Sequence, residues 1–237
     1  MSEFVILKTG TTLPELRARR GDYEDWILDA LGVPRERARV VAVYEGETPP
    51  PADAPAGVVV TGSSAMVSER EPWSEVAAAW LRAAVAAGTP VLGVCYGHQL
   101  LAHALGGRVA QNPHGREIGS VRVRLLPEAR SDPLLGGLSD PLTVQVTHVE
   151  AVLELPAGAR RLAETGLDAN HAFAVGERAW GVQFHPEFDA DVMRAYLAAR
   201  REILRSEGID PERLERCVQE SPQGPALLRR FARLAVA

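Results

Sequence analysis

The first hundred residues alternate short apolar runs with amphipathic segments, and this alternation limits the folds open to the chain. Four runs of four or five residues predict strands at 4–7, 40–44, 57–61 and 91–94. Helical spacing of apolar residues predicts helices at 22–31, 74–87 and 96–105. Strands that are apolar on both faces and alternate with helices are typical of a parallel sheet covered on both sides. We therefore predict an α/β fold with an open, mostly parallel twisted sheet flanked by helices on both faces.

The second half of the chain has a different pattern. Strands are predicted at 121–126, 142–146 and 178–184, without a confident helix between them, which favours a mixed or antiparallel extension of the sheet. Three helices follow, beginning at Asp189, at Asp210 with its first-turn Pro211, and near residue 225. We predict a single domain over 1–237, with a core at 1–204 and a helical C-terminal extension at 205–237.

Two predicted helices have apolar residues that would define a buried face. In the helix at 74–87 these are Val76, Trp80, Leu81, Ala84 and Val85. In the helix after Asp189 they are Val192, Tyr196, Leu197, Ile203 and Leu204. The second set predicts one continuous helix to about residue 204.

Composition excludes several classes of function. Acidic residues outnumber basic ones by 31 to 26, giving a net charge of -5, whereas a nucleic-acid binder needs a basic surface. No uninterrupted apolar run reaches the roughly 18 residues of a membrane helix, since even the stretch at 77–96 contains Arg82. Two cysteines, Cys95 and Cys217, cannot build a disulfide framework, which favours a reducing compartment. We expect a soluble cytoplasmic protein that binds neither nucleic acid nor a membrane.

A cysteine lies where the predicted strand at 91–94 meets the next helix. The sequence Gly-Val-Cys-Tyr-Gly at 93–97 has the glycine spacing of a nucleophile elbow, with Cys95 in the serine position. So sharp a turn strains the backbone, and the helix N-terminus that follows favours a thiolate. A cysteine at the end of an apolar strand is more often a small buried hydrophobe. The two glycines and the polar His98 and Gln99 favour a nucleophile here.

The candidate general base lies 90 residues further along the chain. Of the six histidines, His185 is the best candidate because it ends a predicted strand and precedes Pro186 and Glu187. Pro186 favours an extended backbone at His185, so the side chains of His185 and Glu187 point to the same side. Cysteine catalysis needs such a base and a third group that orients it. His98 is only three residues from Cys95, and we expect it to be structural.

A metal site is the alternative use of the histidines. His98 and His103 are five residues apart, which does not place them on one helical face. No second carboxylate–histidine pair is expected to complete a ligand set. We therefore predict no metal and no other cofactor.

Two segments together resemble a known family. They are GVCYGHQLLA at 93–102 and GVQFHPEF at 181–188. Both are similar to motifs of the triad-type (class I) glutamine amidotransferases, most closely to the glutaminase domain of GMP synthetase and its stand-alone relatives. The similarity extends from about residue 5 to 204. It implies an open α/β sheet with the site at the carboxyl ends of its strands, with Cys95 as nucleophile, His185 as base and acid, and Glu187 as the orienting group.

The resemblance also implies the reaction and its contacts. Attack on the side-chain amide of glutamine would give a γ-glutamyl thioester and ammonia, and hydrolysis would then release glutamate. Backbone N–H groups of Gly62 and Tyr96 would hold the oxyanion. Substrate contacts are implied for Gln99 and for the segment Thr147, His148 and Val149.

Two segments depart from the family pattern and leave the substrate open. Thr-Gly-Ser-Ser at 61–64 replaces a glycine-rich oxyanion strand, and Thr-His-Val-Glu at 147–150 replaces Ser-His-Gly-Asp. His148 could equally be a polar residue at a sheet edge. The expected function is glutamine hydrolysis. The alternatives are a γ-glutamyl peptidase or hydrolase acting on γ-glutamyl peptides or amines, and an ammonia-supplying subunit of a separate synthase chain. A purely binding module is disfavoured because all three catalytic residue types are present.

Overall fold

The computed structural model describes residues 3–237, which form eleven β-strands and eight α-helices. The strands are β1 (Phe4–Lys8), β2 (Ala38–Ala42), β3 (Gly57–Val60), β4 (Val91–Val94), β5 (Arg108–Gln111), β6 (Glu117–Leu125), β7 (Leu142–His148), β8 (Glu150–Glu154), β9 (Arg160–Glu164), β10 (Ala172–Val175) and β11 (Ala179–Val182). The helices are α1 (Pro14–Arg20), α2 (Tyr23–Leu31), α3 (Pro72–Ala86), α4 (Tyr96–Ala104), α5 (Ala190–Ala199), α6 (Arg201–Ser206), α7 (Pro211–Arg216) and α8 (Gln223–Val236).

Nine of these strands form one mixed sheet in the order β2-β1-β3-β4-β11-β10-β9-β6-β7. The first five are parallel to one another, and the last four pair antiparallel. Strands β5 and β8 form a separate two-stranded antiparallel sheet. The predicted fold class is confirmed, including the antiparallel extension. Placing β11 beside β4 brings the carboxyl ends of two parallel strands together, and these ends carry the candidate base and nucleophile.

Alternation along the parallel strands supplies a core on each face of the sheet. In β1, Phe4 and Ile6 pack with α2 and α8, whereas Val5 and Leu7 pack with α3 and α4. Both sets are buried, because helices cover both faces. Helix α2 begins at Asp22 with a capping box and ends at Gly32, whose φ of 69° is left-handed.

Several predicted element boundaries and faces are wrong. Strand β2 ends at Ala42, because a short 3-10 turn at Val43–Glu45 takes the last residues of the apolar run. Val76 on α3 is 66% exposed, and the buried face uses the small residues Ala77 and Ala78 instead. The helix after Asp189 stops at Ala199 and restarts as α6, which leaves Ile203 exposed.

The C-terminal helix α8 belongs to the packing of the main core. Leu227, Leu228 and Phe231 are fully buried there. The proposed boundary at residue 204 stays a prediction, but the apolar face of α8 is used within the chain. No helix within residues 3–237 is both long and apolar enough to cross a membrane.

Candidate active site

Cys95 occupies a strained backbone position between β4 and α4. Its φ of 51° and ψ of -102° place it where residues with a side chain are rarely found. A Cβ on Gly93 would lie 2.3 Å from the carbonyl oxygen of Gly97. A Cβ on Gly97 would lie 2.5 Å from the carbonyl oxygen of Val60. Both glycines are therefore required by close backbone contacts, which lock the turn that presents the cysteine.

His185 reaches the cysteine from the neighbouring strand. The backbone N–H of Cys95 donates to the carbonyl of Val182 in β11 (2.9 Å), and the N–H of His185 donates to the carbonyl of Gln145 in β7 (2.8 Å). The imidazole stacks on Phe188 with ring centroids 4.0 Å apart. The imidazole is therefore held by its stacking on Phe188, and the backbone of His185 is held by its hydrogen bond to β7.

Glu187 completes the arrangement. Its carboxylate Oε1 lies 2.7 Å from Nδ1 of His185, and both side chains are buried. Burial favours the neutral imidazole, but the charges of Glu187 and Cys95 outweigh it and raise the pKa of His185 to about 10. Burial also favours the neutral thiol, yet the charge of the nearby His185 holds the pKa of Cys95 below its usual value. Both directions favour a thiolate–imidazolium pair over the neutral thiol and imidazole.

The two predicted oxyanion residues flank this pair. Tyr96 is the first residue of α4, so its N–H has no acceptor within the helix. Within residues 3–237, the N–H of Gly62 makes no backbone hydrogen bond. Gly62 also lies against the imidazole, because a Cβ there would be 2.9 Å from Cε1 of His185.

The other predicted substrate residues lie together in one cleft. This first cleft is lined by Cys95, Tyr96, Gln99, Thr147, His148 and Val149, together with Ser63, Ser64, Ala65, Met66, Arg116, Glu150 and Arg200. The amide nitrogen of Gln99 is already used, since it donates to the carbonyl of Glu150 (2.8 Å) and to Oε1 of Gln183 (3.0 Å). The amide nitrogen of Gln99 is therefore engaged in contacts within the wall of the cleft.

His98 lies away from this chemistry. Its ring is fully buried and packs on Phe173, with centroids 4.9 Å apart. Burial lowers the pKa of His98 to about 3, so the ring is neutral near pH 7. A Cβ on Gly181 would be 2.7 Å from its Nδ1, so the glycine of β11 makes room for the ring.

The expectation that no further carboxylate–histidine set comes together is wrong. Oε2 of Glu117 accepts hydrogen bonds from Nε2 of His148 (3.0 Å) and of His171 (3.1 Å). All three residues are buried, and one potential ligand atom from each lies within 4.8 Å of the others. His148 also donates from Nδ1 to the carbonyl of Glu150 (2.8 Å). Because both of its partners are acceptors, His148 carries protons on both nitrogens and forms a buried ion pair with Glu117.

Two arginines of the cleft were also missed. Arg116 is paired with Glu207 through two hydrogen bonds of 2.8 and 2.9 Å. Arg200 lies at the break between α5 and α6, inside a segment predicted as one helix. No motif in the sequence marks either residue. The one available signal concerned Arg200, which is a polar residue on the apolar side of the helix predicted after Asp189.

A model of the family "Glutamine amidotransferase class-I" matches residues 22–202 of this chain. The chain belongs to this family. Among curated relatives, the chain is 40% identical over 136 residues to GMP synthase [glutamine-hydrolyzing] of Leifsonia xyli subsp. xyli, a match that covers 56% of the chain and 26% of the relative. The chain thus spans about a quarter of that GMP synthase's length.

A second relative is closer to it in size. Gamma-glutamyl peptidase 4 of Arabidopsis thaliana is 28% identical over 177 residues, covering 73% of this chain and 70% of the peptidase. A crystal structure of a glutamine amidotransferase from Thermotoga maritima superposes with a TM-score of 0.78 at 23% identity, covering 100% and 99% of the two chains. These similarities agree with the fold that the motifs imply.

Proposed function

We propose that this amidotransferase hydrolyses the side-chain amide of glutamine with Cys95, His185 and Glu187. The observation that carries the proposal is the buried Glu187–His185 hydrogen bond of 2.7 Å beside a cysteine whose pKa is lowered. Cys95 is the nucleophile and His185 is the base and acid. Glu187 holds the ring orientation and stabilises the imidazolium.

The steps follow from these positions. The Cys95 thiolate attacks the amide carbon, and the N–H groups of Gly62 and Tyr96 bind the oxyanion. His185 gives its proton to the leaving nitrogen, the C–N bond breaks, and ammonia departs from a γ-glutamyl thioester. His185 then takes a proton from water, whose oxygen attacks the thioester; the C–S bond breaks, glutamate is released, and the Cys95 thiolate is restored beside the protonated imidazole. The first cleft, with Gln99, Thr147, His148 and Val149, holds the glutamyl group.

The second candidate function is hydrolysis of γ-glutamyl peptides or amines. The observation in its favour is a second cleft on the His185 side of Cys95, where a leaving group larger than ammonia has room. The similarity to a gamma-glutamyl peptidase over most of both chains supports it.

Supply of ammonia to a separate synthase chain is compatible with the same chemistry. The GMP synthase relative is about four times as long as the matched part. Such a role predicts that glutaminase activity rises when a synthase chain is added.

The test measures ammonia and glutamate released from L-glutamine by the wild type and by Cys95→Ser. We expect the variant to lose roughly 10³-fold or more in kcat with its circular dichroism spectrum unchanged. Cys217→Ser is the matched control, because Cys217 is an exposed free cysteine on the C-terminal side of α7. Full activity in Cys95→Ser would falsify the proposal.

A further inference from the structure

Two clefts meet at Cys95, and only one of them contains the candidate acid. The second cleft has a volume of about 190 Å³ and is lined by Thr11, Thr12, Leu13, Tyr23, Ser63, Ser64, Cys95, Thr147, His185, Tyr196 and Arg200. The first cleft shares Cys95, Ser63, Ser64, Thr147 and Arg200 with it but is not lined by His185. The cysteine therefore lies at the boundary between two spaces.

The position of His185 assigns the second cleft to the leaving group. In amide hydrolysis the acid protonates the nitrogen that departs, so the amine leaves on the side where the acid lies. A molecule the size of water or ammonia needs about 10–15 Å³ of such a cavity. The second cleft is more than ten times larger, so it has room for an amine that carries a further group.

Arg200 supplies a charge at the boundary of this space. Its guanidinium lies over the ring of Tyr196, 4.7 Å from the centroid. Nη1 of Arg200 is buried and has no hydrogen-bond partner within residues 3–237. The neighbouring arginines differ, since Arg116 is paired with Glu207 and Arg201 with Glu215.

An unpaired guanidinium is costly to bury. Partial burial lowers the pKa of Arg200 from its usual value because it removes water from the guanidinium. A carboxylate bound by the guanidinium would relieve this cost with charge-assisted hydrogen bonds. Tyr196, which lies under Arg200, lines the second cleft and not the first. The guanidinium therefore packs against a residue of the second cleft, which is the cleft that we assign to the leaving group.

We propose that Arg200 binds the carboxylate of the leaving amine, so that the preferred substrates are γ-glutamyl amides of amino acids or peptides. The inference rests on the proposed function and names the substrate class of the same site. The C–N bond of the γ-amide breaks, His185 protonates the departing amino group, and the γ-glutamyl thioester remains on Cys95. Water then gives glutamate, and the second product is a free amino acid or peptide.

The polar side chains around Arg200 suit such a product. The hydroxyl of Tyr196 lies 2.8 Å from that of Thr12 and 2.6 Å from that of Tyr23. This row of hydroxyls lines the second cleft and offers donors and acceptors to an amino acid. Ammonia alone would leave most of the row, and the guanidinium, without a ligand.

The experiment compares γ-L-glutamylglycine with γ-L-glutamylglycinamide, which have the same shape but end in a carboxylate and in a neutral amide respectively. We expect the wild type to prefer the acid by about tenfold or more in kcat/KM. In Arg200→Gln we expect kcat/KM to fall about 10- to 100-fold more for the acid than for the amide, which removes the preference. Arg201→Gln is the matched control, because Arg201 is the next residue and lines neither cleft; it should keep the preference.

The outcomes separate this inference from the proposed function. Equal losses for the acid and the amide in Arg200→Gln would mean that Arg200 binds the glutamyl group, and would overturn the inference. So would a wild type that shows no preference, a result that needs no variant to fold. A wild type that cleaves L-glutamine but not γ-L-glutamylglycine overturns the inference and leaves the proposed function intact. A wild type that cleaves none of the three compounds faster than Cys95→Ser overturns both.

Discussion

Gly62 and His185 are in direct contact, and the space for the imidazole exists only because residue 62 has no side chain. A Cβ at this position would lie 2.9 Å from Cε1 of His185. Gly62 lies at the Cε1 edge of the ring, and a face of the ring packs on Phe188. The ring therefore cannot move aside without disturbing its hydrogen bond to Glu187.

The contact predicts that Gly62→Ala lowers both activity and stability. A displacement of the imidazole of about 1 Å can cost roughly 10²-fold in rate, whereas overpacking costs about 1–3 kcal/mol of unfolding free energy. Steady-state kinetics and urea unfolding measure the two effects. Gly166→Ala is the control, because a Cβ on Gly166 meets nothing within 4 Å. Wild-type kcat in Gly62→Ala would show that the ring position is not critical.

Glu187→Gln should raise the pH at which Cys95 becomes reactive. The Glu187 carboxylate helps to raise the pKa of His185 to about 10, and the imidazolium in turn lowers the pKa of Cys95. Without that carboxylate the imidazolium is lost at lower pH, so the thiolate loses its partner and the thiol pKa rises. The direct repulsion between the Glu187 carboxylate and the thiolate acts in the opposite direction but is weaker than the effect of His185. The rate of iodoacetamide alkylation between pH 5 and 9 measures this in a Cys217→Ser background, which removes the exposed second thiol. Superimposable pH profiles with and without Glu187 would contradict the assignment.

Glu117→Gln should destabilise the fold and change how stability depends on pH. The pKa of Glu117 is lowered by His148 and His171 against the effect of burial, and the pKa of His148 is raised by Glu117 against the same effect. The Glu117 contribution is therefore present above its unfolded pKa of 4.5, and that of His148 is present below its unfolded pKa of 6.5. The pair stabilises most between these values and weakens as pH rises through the folded pKa of His148.

Urea unfolding at pH 5.5 and pH 8.5 tests this. We expect Glu117→Gln to lose about 3–5 kcal/mol at pH 5.5, because it leaves a buried imidazolium without its partner. The wild type should lose more stability than the variant between the two pH values. Glu154→Gln serves as control, since Glu154 pairs with Arg108 at the surface and should cost less than about 1 kcal/mol. An identical pH dependence in wild type and Glu117→Gln would exclude the ion pair.

Activity is expected to be independent of metal ions. The three atoms of the Glu117, His148 and His171 cluster that could bind a metal already share two hydrogen bonds. Prolonged treatment with EDTA should leave kcat unchanged, and elemental analysis should find no stoichiometric zinc. Loss of activity that zinc restores would instead assign the cluster to a metal.

The sequence was most informative about residues whose positions depend on their close neighbours along the chain. The glycines around Cys95 and the proline after His185 act within a few residues, and the carboxyl ends of adjacent parallel strands then bring the two side chains together. Glu117 and His148 are 31 residues apart and become neighbours only through the antiparallel register of β6 and β7, which pairs them directly. No local pattern sets that register.

Arg200 was missed for a different reason. The apolar spacing from Val192 to Leu204 fits one helix, but the helix breaks at Arg200 and turns its side chain toward Cys95. The guanidinium of Arg200 lies over the ring of Tyr196, four residues earlier in the chain, and the apolar periodicity does not predict the break that follows. The face of α3 was mispredicted because small residues, and not Val76, fit against its neighbours.

The packing of α8 also sets the orientation in which the protein can be attached to a surface. Ala235, near the end of this helix, lies against Gly57 at the start of β3, and Arg178 before β11 donates to its carbonyl. Gly57 and Arg178 lie at the amino ends of β3 and β11, and the carboxyl ends of these two strands lead to Gly62 and His185. A tether fused after residue 237 would therefore leave the chain at the end of the sheet opposite to Cys95. An immobilised sample would keep both clefts open to the solution.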